Sequence, residues 1–115
     1  MVDYQWEIFW ADLTPTKGSE QAGIRPVLVV SAEEVNQALP IVTILSLTSI
    51  KKGRKVYPIE VLLSSKVTGL PKDSIAMAHQ IRAIAKERLG EKCGSINTEE
   101  VQEQVRTAIK IYLDL

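Results

Sequence analysis

Two polar side chains stand where each could contact a phosphate. Arg25 lies between a glycine-bearing loop and an apolar run, and Thr48 ends the next long apolar run. A guanidinium stays protonated and presents five donors, and a hydroxyl can donate to a phosphate oxygen, so both side chains suit phosphate recognition. Each also has a structural interpretation: an ion pair between Arg25 and Glu20, and a local turn bond for Thr48. These residues alone leave both interpretations open.

The other reactive residue types indicate structural roles. The acidic pairs Glu33–Glu34 and Glu99–Glu100 stand at predicted helix starts, where the helix dipole favours negative charge. The one histidine, His79, lies in an alternating apolar segment and is expected to be a half-buried packing residue. The one cysteine, Cys93, has no activating neighbour in the sequence and is expected to be a structural thiol. A disulfide within the chain and a cysteine-rich zinc site are therefore excluded.

The composition is that of an ordinary globular protein, with 115 residues, 45% apolar and 24% charged. We expect one domain over residues 1–115, which can bury roughly two thirds of its unfolded surface without a metal or a disulfide. The longest apolar runs, such as Val27–Val30, are too short to span a bilayer. The first residues show neither the basic nor the apolar region of a signal peptide, so a cytoplasmic location is expected.

The charge is unevenly distributed although its sum is 0. Residues 1–50 hold two basic and six acidic groups, whereas residues 51–92 hold ten basic and four acidic groups. The densest group is Lys51, Lys52, Arg54 and Lys55, which we call the basic turn. It is either a solvated hairpin tip or a patch that attracts nucleic acid, and the neutral chain as a whole gives no support to the second interpretation.

Four apolar runs rich in β-branched residues predict strands. They are Ile8–Ala11, Pro26–Val30, Ile41–Leu47 and Val56–Leu62. Because proline cannot donate to a neighbouring strand, Pro26 should begin its strand, and Pro58 indicates an edge strand or a bulge. The polar residues 16–23, with two glycines, predict a long loop, and long loops in small domains are often functional.

Capping patterns predict two helices. Ser31–Glu34 has the spacing of a capping box ahead of a short helix that reaches about Ala38. Asn97–Glu100 has the same spacing ahead of a C-terminal amphipathic helix. The apolar face of that helix carries Val101, Val105, Ala108, Ile109 and Tyr112. Residues 74–84 fit either a helix or an alternating strand, and periodicity does not decide between them.

Two stretches, Ile8–Leu13 and Gly18–Ser31, resemble the MazF/PemK/Kid family of toxins, the endoribonucleases of type II toxin–antitoxin systems. The most specific part is Gly-Ser-Glu-Gln followed by Arg-Pro and an apolar run. The resemblance continues in register over most of the chain, through Pro40, Leu47–Ser49, Gly69–Ser74, Gln80–Arg82 and Arg88–Leu89.

The resemblance implies a mainly β fold, an SH3-like β-barrel with short helices and a C-terminal helix, in which residues 74–84 form a strand. It implies a homodimer with single-stranded RNA in a groove along its interface, and inhibition by a cognate MazE-like antitoxin. It also implies RNA cleavage without a metal or another cofactor, leaving 2′,3′-cyclic phosphate and 5′-hydroxyl ends. A messenger RNA interferase in the cytoplasm is the function expected.

Six positions match functional residues of the family. Arg25 and Thr48 match the catalytic pair, and preorganised donors of this kind stabilise the charge that develops on a phosphorane. The residues that match the lining of the RNA groove are Ser19, Glu20, Gln21 and Gln80. Glu20 is also the more natural proton acceptor for the ribose 2′-hydroxyl, because a guanidinium is almost never neutral.

Four positions depart from the family pattern, at Trp6–Glu7, His79 and Ala85. None of them removes Arg25 or Thr48, although His79 beside the groove could change which bases are read. Two other functions compete with RNA cleavage. One is a CcdB-like toxin that binds DNA gyrase without catalysis, and the other is an inactive RNA-binding barrel that uses the basic turn.

Overall fold

A computed structural model describes residues 2–115. The described chain contains six strands, three α-helices and a 3₁₀ turn at Lys86–Arg88. The strands are β1 (Glu7–Asp12), β2 (Ile24–Val29), β3 (Ile41–Ser49), β4 (Glu60–Leu63), β5 (Ser74–Ala85) and β6 (Leu89–Ser95). The helices are α1 (Glu33–Ala38), α2 (Ser65–Thr68) and α3 (Glu99–Leu113).

The six strands form one antiparallel sheet in the order β4-β5-β3-β2-β1-β6. In the described residues β4 and β6 are the two edges and do not pair with each other, so the sheet is not closed. The expected fold class, mainly β with short helices and a C-terminal helix, is confirmed, with an open sheet in place of a closed barrel.

The two faces of the sheet carry separate apolar cores. One lies between the sheet and α3 and includes Leu28, Leu45 and Val105. The other covers the opposite face and includes Val27 and Ile44. Because successive strand residues alternate between the faces, a slip of one residue would exchange the two sets. Fully burying each of these side chains stabilises the fold by about 1.5–3 kcal/mol, so the register is strongly specified.

Three of the four predicted strands lie where the apolar runs placed them, and residues 74–84 form the strand that the resemblance implied. The fourth begins at Glu60 and not at Val56, because Tyr57–Glu60 is a turn in which the Glu60 amide donates to the Tyr57 carbonyl at 2.8 Å. β4 is an edge strand, as Pro58 indicated.

Both predicted helix caps were wrong, although the helices themselves were right. Ala32 precedes α1 and Thr98 precedes α3, and neither makes a side-chain cap hydrogen bond. The Ser31 hydroxyl instead accepts a hydrogen bond from the Thr43 amide at 2.9 Å and contacts Asn36. Ser31 therefore ties the start of α1 to β3, a role that its spacing to Glu34 could not reveal.

Candidate active site at the divergence of two strands

The register of β2 against β3 places Arg25 and Thr48 in one row. Three pairs join these strands, and the last is Val27 opposite Ser46. Arg25 precedes Val27 by two residues and Thr48 follows Ser46 by two, so each lies two positions beyond this last pair. Both residues share the face of Val27 and Ser46, which is the face opposite α3. The two candidate catalytic residues therefore lie on one face of the sheet, in a row that continues beyond the last pair of β2 with β3.

The two strands separate where this row begins. Beyond Val27, β2 stays paired only with β1, as far as Ile24 opposite Asp12. Beyond Ser46, β3 stays paired only with β5, as far as Ser49 opposite Ser74. Arg25 is thus held by a strand that pairs with β1, and Thr48 by a strand that pairs with β5. An opening lies between β2 and β3.

Pro26 accounts for the end of the shared ladder. It is the first β2 residue beyond the last pair with β3, and it has no amide hydrogen to donate. The expectation that Pro26 begins its strand was wrong, because β2 starts two residues earlier at Ile24. Proline is tolerated here because this part of β2 is paired on one side only, with Trp10 of β1 opposite Pro26.

Arg25 is half-buried and directs its Nε–H to the backbone of the adjoining loop, where it donates to the Ala22 carbonyl at 2.9 Å. The alternative ion pair with Glu20 is not formed, since the described residues show none that involves Arg25. Glu20 instead accepts a hydrogen bond from the Lys17 amide at 2.8 Å. The guanidinium is oriented by backbone and is not neutralised by a carboxylate.

The loop between β1 and β2 is closed at its base by backbone contacts. The Leu13 amide donates to the Gly23 carbonyl at 3.0 Å, and Gly23 has a positive φ of 80° that suits glycine. Arg82 donates to the Leu13 carbonyl at 3.4 Å and Arg88 donates to the Thr14 carbonyl at 2.7 Å. The loop therefore leaves the sheet in a defined direction.

The tip of the same loop is attached to β5 by Gln80. The Gln80 side chain donates to the Ser19 carbonyl at 3.2 Å and accepts from the Gln21 amide at 3.3 Å. Gln80 can reach the loop because β5 bulges between Met77, which pairs with Ser46, and Arg82, which pairs with Ile44. The structure thus brings Ser19, Gln21 and Gln80 together, whereas the carboxylate of Glu20 is exposed and faces Lys17.

Three buried polar atoms of this region have no hydrogen-bond partner in the described part of the chain. They are Gln21 Oε1, Ser46 Oγ and His79 Nδ1. Gln21 lies in the loop, Ser46 is next to the row of Arg25 and Thr48, and His79 lies in the bulge of β5. Buried polar groups are normally hydrogen-bonded, so these three atoms are available to a water or to a ligand.

Glu60 has a buried carboxylate that the sequence analysis did not identify. It lies on the face of the sheet that carries Arg25 and Thr48. Glu60 is opposite Met77, and its side chain is 2% exposed. Arg54 donates two hydrogen bonds to it, at 2.7 and 3.0 Å, and the Tyr57 amide donates one at 3.2 Å. The Arg54 hydrogen bonds hold the pKa of the Glu60 carboxyl below its ordinary value against the effect of burial, and the charge of His79 adds to this. The sequence feature that could have revealed this buried carboxylate is the single charged residue within the apolar run Ile59–Leu62.

The remaining reactive groups are His79 and Cys93, and the half-burial expected of His79 is observed. His79 and Cys93 are half-buried, and burial raises the pKa of the Cys93 thiol. Within residues 2–115, no three His, Cys, Asp or Glu side chains are grouped as a metal site would need. None of the helices in that range has the length and apolar character needed to cross a membrane.

The sequence is similar to two characterised endoribonucleases. It is 41% identical to endoribonuclease MazF9 of Mycobacterium tuberculosis over 114 residues, which cover 95% of this chain and 94% of that protein. It is 34% identical to endoribonuclease EndoA of Bacillus subtilis over 116 residues, which cover 100% of this chain and 97% of that protein.

The fold is similar to that of MazF from Deinococcus radiodurans. A crystal structure of that protein superposes with a TM-score of 0.82 at 27% identity, covering 100% of this chain and 99% of the other. A MazE–MazF crystal structure from the same organism superposes with a TM-score of 0.75 at 26% identity, covering 100% and 99%. Residues 4–113 match the family described as PemK-like, MazF-like toxin of type II toxin–antitoxin system. The chain therefore belongs to this toxin family.

Proposed function

We propose that this chain is the toxin of a type II toxin–antitoxin system and acts as an endoribonuclease on single-stranded messenger RNA. The observation that carries the proposal is that Arg25 and Thr48 share one face of the sheet, each two residues beyond the last pair of β2 with β3, where these strands separate. The names of the two curated relatives, both endoribonucleases, support the same activity. They do not favour the gyrase-binding or the inactive alternative.

The proposed reaction is an internal displacement that needs no metal. The ribose 2′-hydroxyl loses its proton and attacks the adjacent phosphorus, the bond to the 5′-oxygen breaks, and that oxygen takes up a proton. A 2′,3′-cyclic phosphate and a 5′-hydroxyl remain. Arg25 and Thr48 donate to the phosphorane oxygens, and Glu20 accepts the 2′-hydroxyl proton. The rigid attachment of Arg25 and Thr48 to paired strands supports this assignment, because preorganised donors need no reorganisation during reaction.

The loop between β1 and β2 is proposed to cover the RNA. Ser19, Gln21 and Gln80 lie together, and Gln21 Oε1 is buried without a partner in the described residues. An amide oxygen can accept from the exocyclic amino group of a base, so this cluster suits base recognition. Glu20 stands at the exposed tip of the same loop and would have to turn from Lys17 to reach the ribose.

We also propose that the whole chain is one domain and acts in the cytoplasm as a homodimer. A cognate MazE-like antitoxin would inhibit it. The MazE–MazF structure of Deinococcus radiodurans supports the antitoxin. Large exposed apolar side chains at the edge of the sheet and the end of α3 support self-association, among them Tyr57, Leu62 and Leu115. Sedimentation equilibrium measures the oligomeric state, and a monomer at micromolar concentration would contradict the dimer.

The test of the activity is RNA cleavage by the purified protein with EDTA present. A long RNA of mixed sequence should yield discrete products with cyclic phosphate and 5′-hydroxyl ends. Arg25→Ala should lower the rate about 100- to 1000-fold, the loss expected for one transition-state donor. Arg106→Ala is the matched control, because Arg106 lies on α3 beside Glu103. Full activity of Arg25→Ala would remove the proposed mechanism, and cleavage that stops with EDTA would show a metal requirement.

A further inference from the structure

The basic turn follows the catalytic row directly along the chain. Lys51 comes three residues after Thr48, so their Cα atoms are at most about 11 Å apart. The turn belongs to the connection between β3 and β4, which leaves the sheet at the end where β3 and β2 have separated. A strand of RNA that places its scissile phosphate at Thr48 therefore has this turn within reach of its neighbouring phosphates.

The four cations of the turn have different roles in the structure. Arg54 is engaged by the buried Glu60, and its amide donates to the Lys51 carbonyl at 3.0 Å across Gly53, whose φ is +80°. Arg54 therefore anchors the turn to β4. Lys51, Lys52 and Lys55 are exposed, and the described residues offer none of them a carboxylate within salt-bridge distance.

The surrounding charge favours an anionic partner. Residues 51–92 carry a net charge of +6, and the ion pair of Arg54 with Glu60 leaves that excess unchanged. Lysine ammonium groups are point charges on flexible stems, which suit contacts to a phosphate backbone without base preference. The turn is also pre-shaped by Gly53 and Arg54, so little backbone has to be ordered on binding.

We propose that Lys51, Lys52 and Lys55 bind backbone phosphates of the RNA strand next to the scissile bond, on the side of Thr48. The inference rests on the proposed endoribonuclease function and adds a sequence-independent contact to it. The RNA is held electrostatically by an anchored turn, while the loop between β1 and β2 reads its bases.

The experiment is the salt dependence of RNA binding. The probe is a single-stranded oligonucleotide with 2′-O-methyl groups on every ribose, which blocks the attacking hydroxyl. Affinity is measured between 50 and 200 mM KCl with EDTA. Each phosphate contact to single-stranded nucleic acid contributes a slope of about −0.7 in log affinity against log salt. Lys51→Gln with Lys52→Gln should make the slope about 1.4 less steep, and adding Lys55→Gln should bring the change to about 2.

The matched control is the double variant Lys66→Gln with Lys110→Gln. Like the Lys51→Gln, Lys52→Gln variant, it removes two positive charges. These lie on α2 and α3, whose core contacts are on the opposite face of the sheet. Its slope should equal that of the unmodified protein. Circular dichroism establishes that each variant is folded, which the exposure of all five lysines leads us to expect.

Three results would overturn the inference. The first is an unchanged slope in the basic-turn variants, and the second is an equal change in the control, which would indicate net charge alone. The third is weaker binding of a cognate antitoxin with unchanged RNA binding, which would make the turn a protein-binding surface. Cleavage by the unmodified protein is scored separately, so failure of the endoribonuclease function is distinguished from failure of the basic turn.

Discussion

Replacing Glu60 by glutamine removes a buried charge without changing the shape of the side chain. The carboxylate is 2% exposed and accepts two hydrogen bonds from Arg54 and one from the Tyr57 amide. In Glu60→Gln one acceptor remains, and the new amide NH₂ faces a guanidinium that can only donate. A hydrogen bond to a charged group contributes about 1.5–3 kcal/mol. Because the Arg54 side chain is 27% exposed and can turn to water, we expect a net loss of about 2–3 kcal/mol in the free energy of unfolding.

The loss should depend on pH with a defined sign. The pKa of Glu60 is lowered in the folded protein, first by the Arg54 hydrogen bonds. The carboxylate therefore stabilises the fold fully above the unfolded pKa of about 4.3, and this stabilisation disappears as the pH falls through the lower folded value. Urea unfolding at pH 7 and at a series of acidic pH values measures the difference between the two proteins, which should shrink below about pH 4.

The same substitution at Glu103 is the control. Glu103 forms an exposed ion pair with Arg106 at 3.1 Å, three residues along α3, with side-chain exposures of 58% and 41%. Exposed pairs of this kind contribute about 0–1 kcal/mol, so Glu103→Gln should cost little. Equal costs of the two substitutions at pH 7, or an effect of Glu60→Gln that stays constant down to acid pH, would show that burial of the Glu60 charge does not stabilise the fold.

Three further outcomes are expected. Thr48→Val should lower the cleavage rate about 100-fold or more with little change in melting temperature, because it removes a donor and keeps a β-branched shape; an unchanged rate in the cleavage assay would remove Thr48 from the mechanism. Gly94→Ala should destabilise the fold by about 1–3 kcal/mol in urea unfolding, since its Cβ would lie 2.7 Å from the Thr68 carbonyl oxygen; equal stability would show that the backbone shifts freely there. Gln80→Ala should speed hydrogen exchange of the Gln21 amide about 10-fold, because it removes the acceptor of that amide; unaltered exchange would mean that Gln80 does not hold the loop.

The sequence predicted the strands well where apolar runs were long and uninterrupted. Ile41–Leu47 lies inside β3, and the run around Val27 became the fully buried part of β2. The limits were set by tertiary contacts. Strand β4 starts late because Arg54 and Glu60 stabilise the turn before it, and an ion pair between residues six apart leaves no periodic signal. The Ser31 hydroxyl was assigned to the nearest helix, whereas the fold gave it a partner twelve residues away.

The residues of the candidate site could be predicted from the sequence, but their arrangement in space could not. Local sequence showed that Arg25 follows a loop and that Thr48 ends a strand. Only the register of β2 against β3 shows that both lie on one face, each two residues beyond the last shared pair. The family resemblance identified Gln80 as a residue of the RNA groove but gave no structural reason for its position. The reason is the bulge of β5, which depends on how Met77 and Arg82 pair with β3 and so could not be read from alternation alone.

The attachment of the loop has a consequence for how such a toxin could diverge. Arg25 and Thr48 are carried by strands whose positions depend on two apolar cores, whereas Ser19 and Gln21 are held to the sheet by two hydrogen bonds from one side chain, Gln80. Under the proposed function, mutations in the loop would alter the preferred RNA sequence without disturbing the donors that break the backbone. New target specificities could therefore arise in a lineage by changing a few loop residues other than Glu20, at little risk to folding or to the cleavage step.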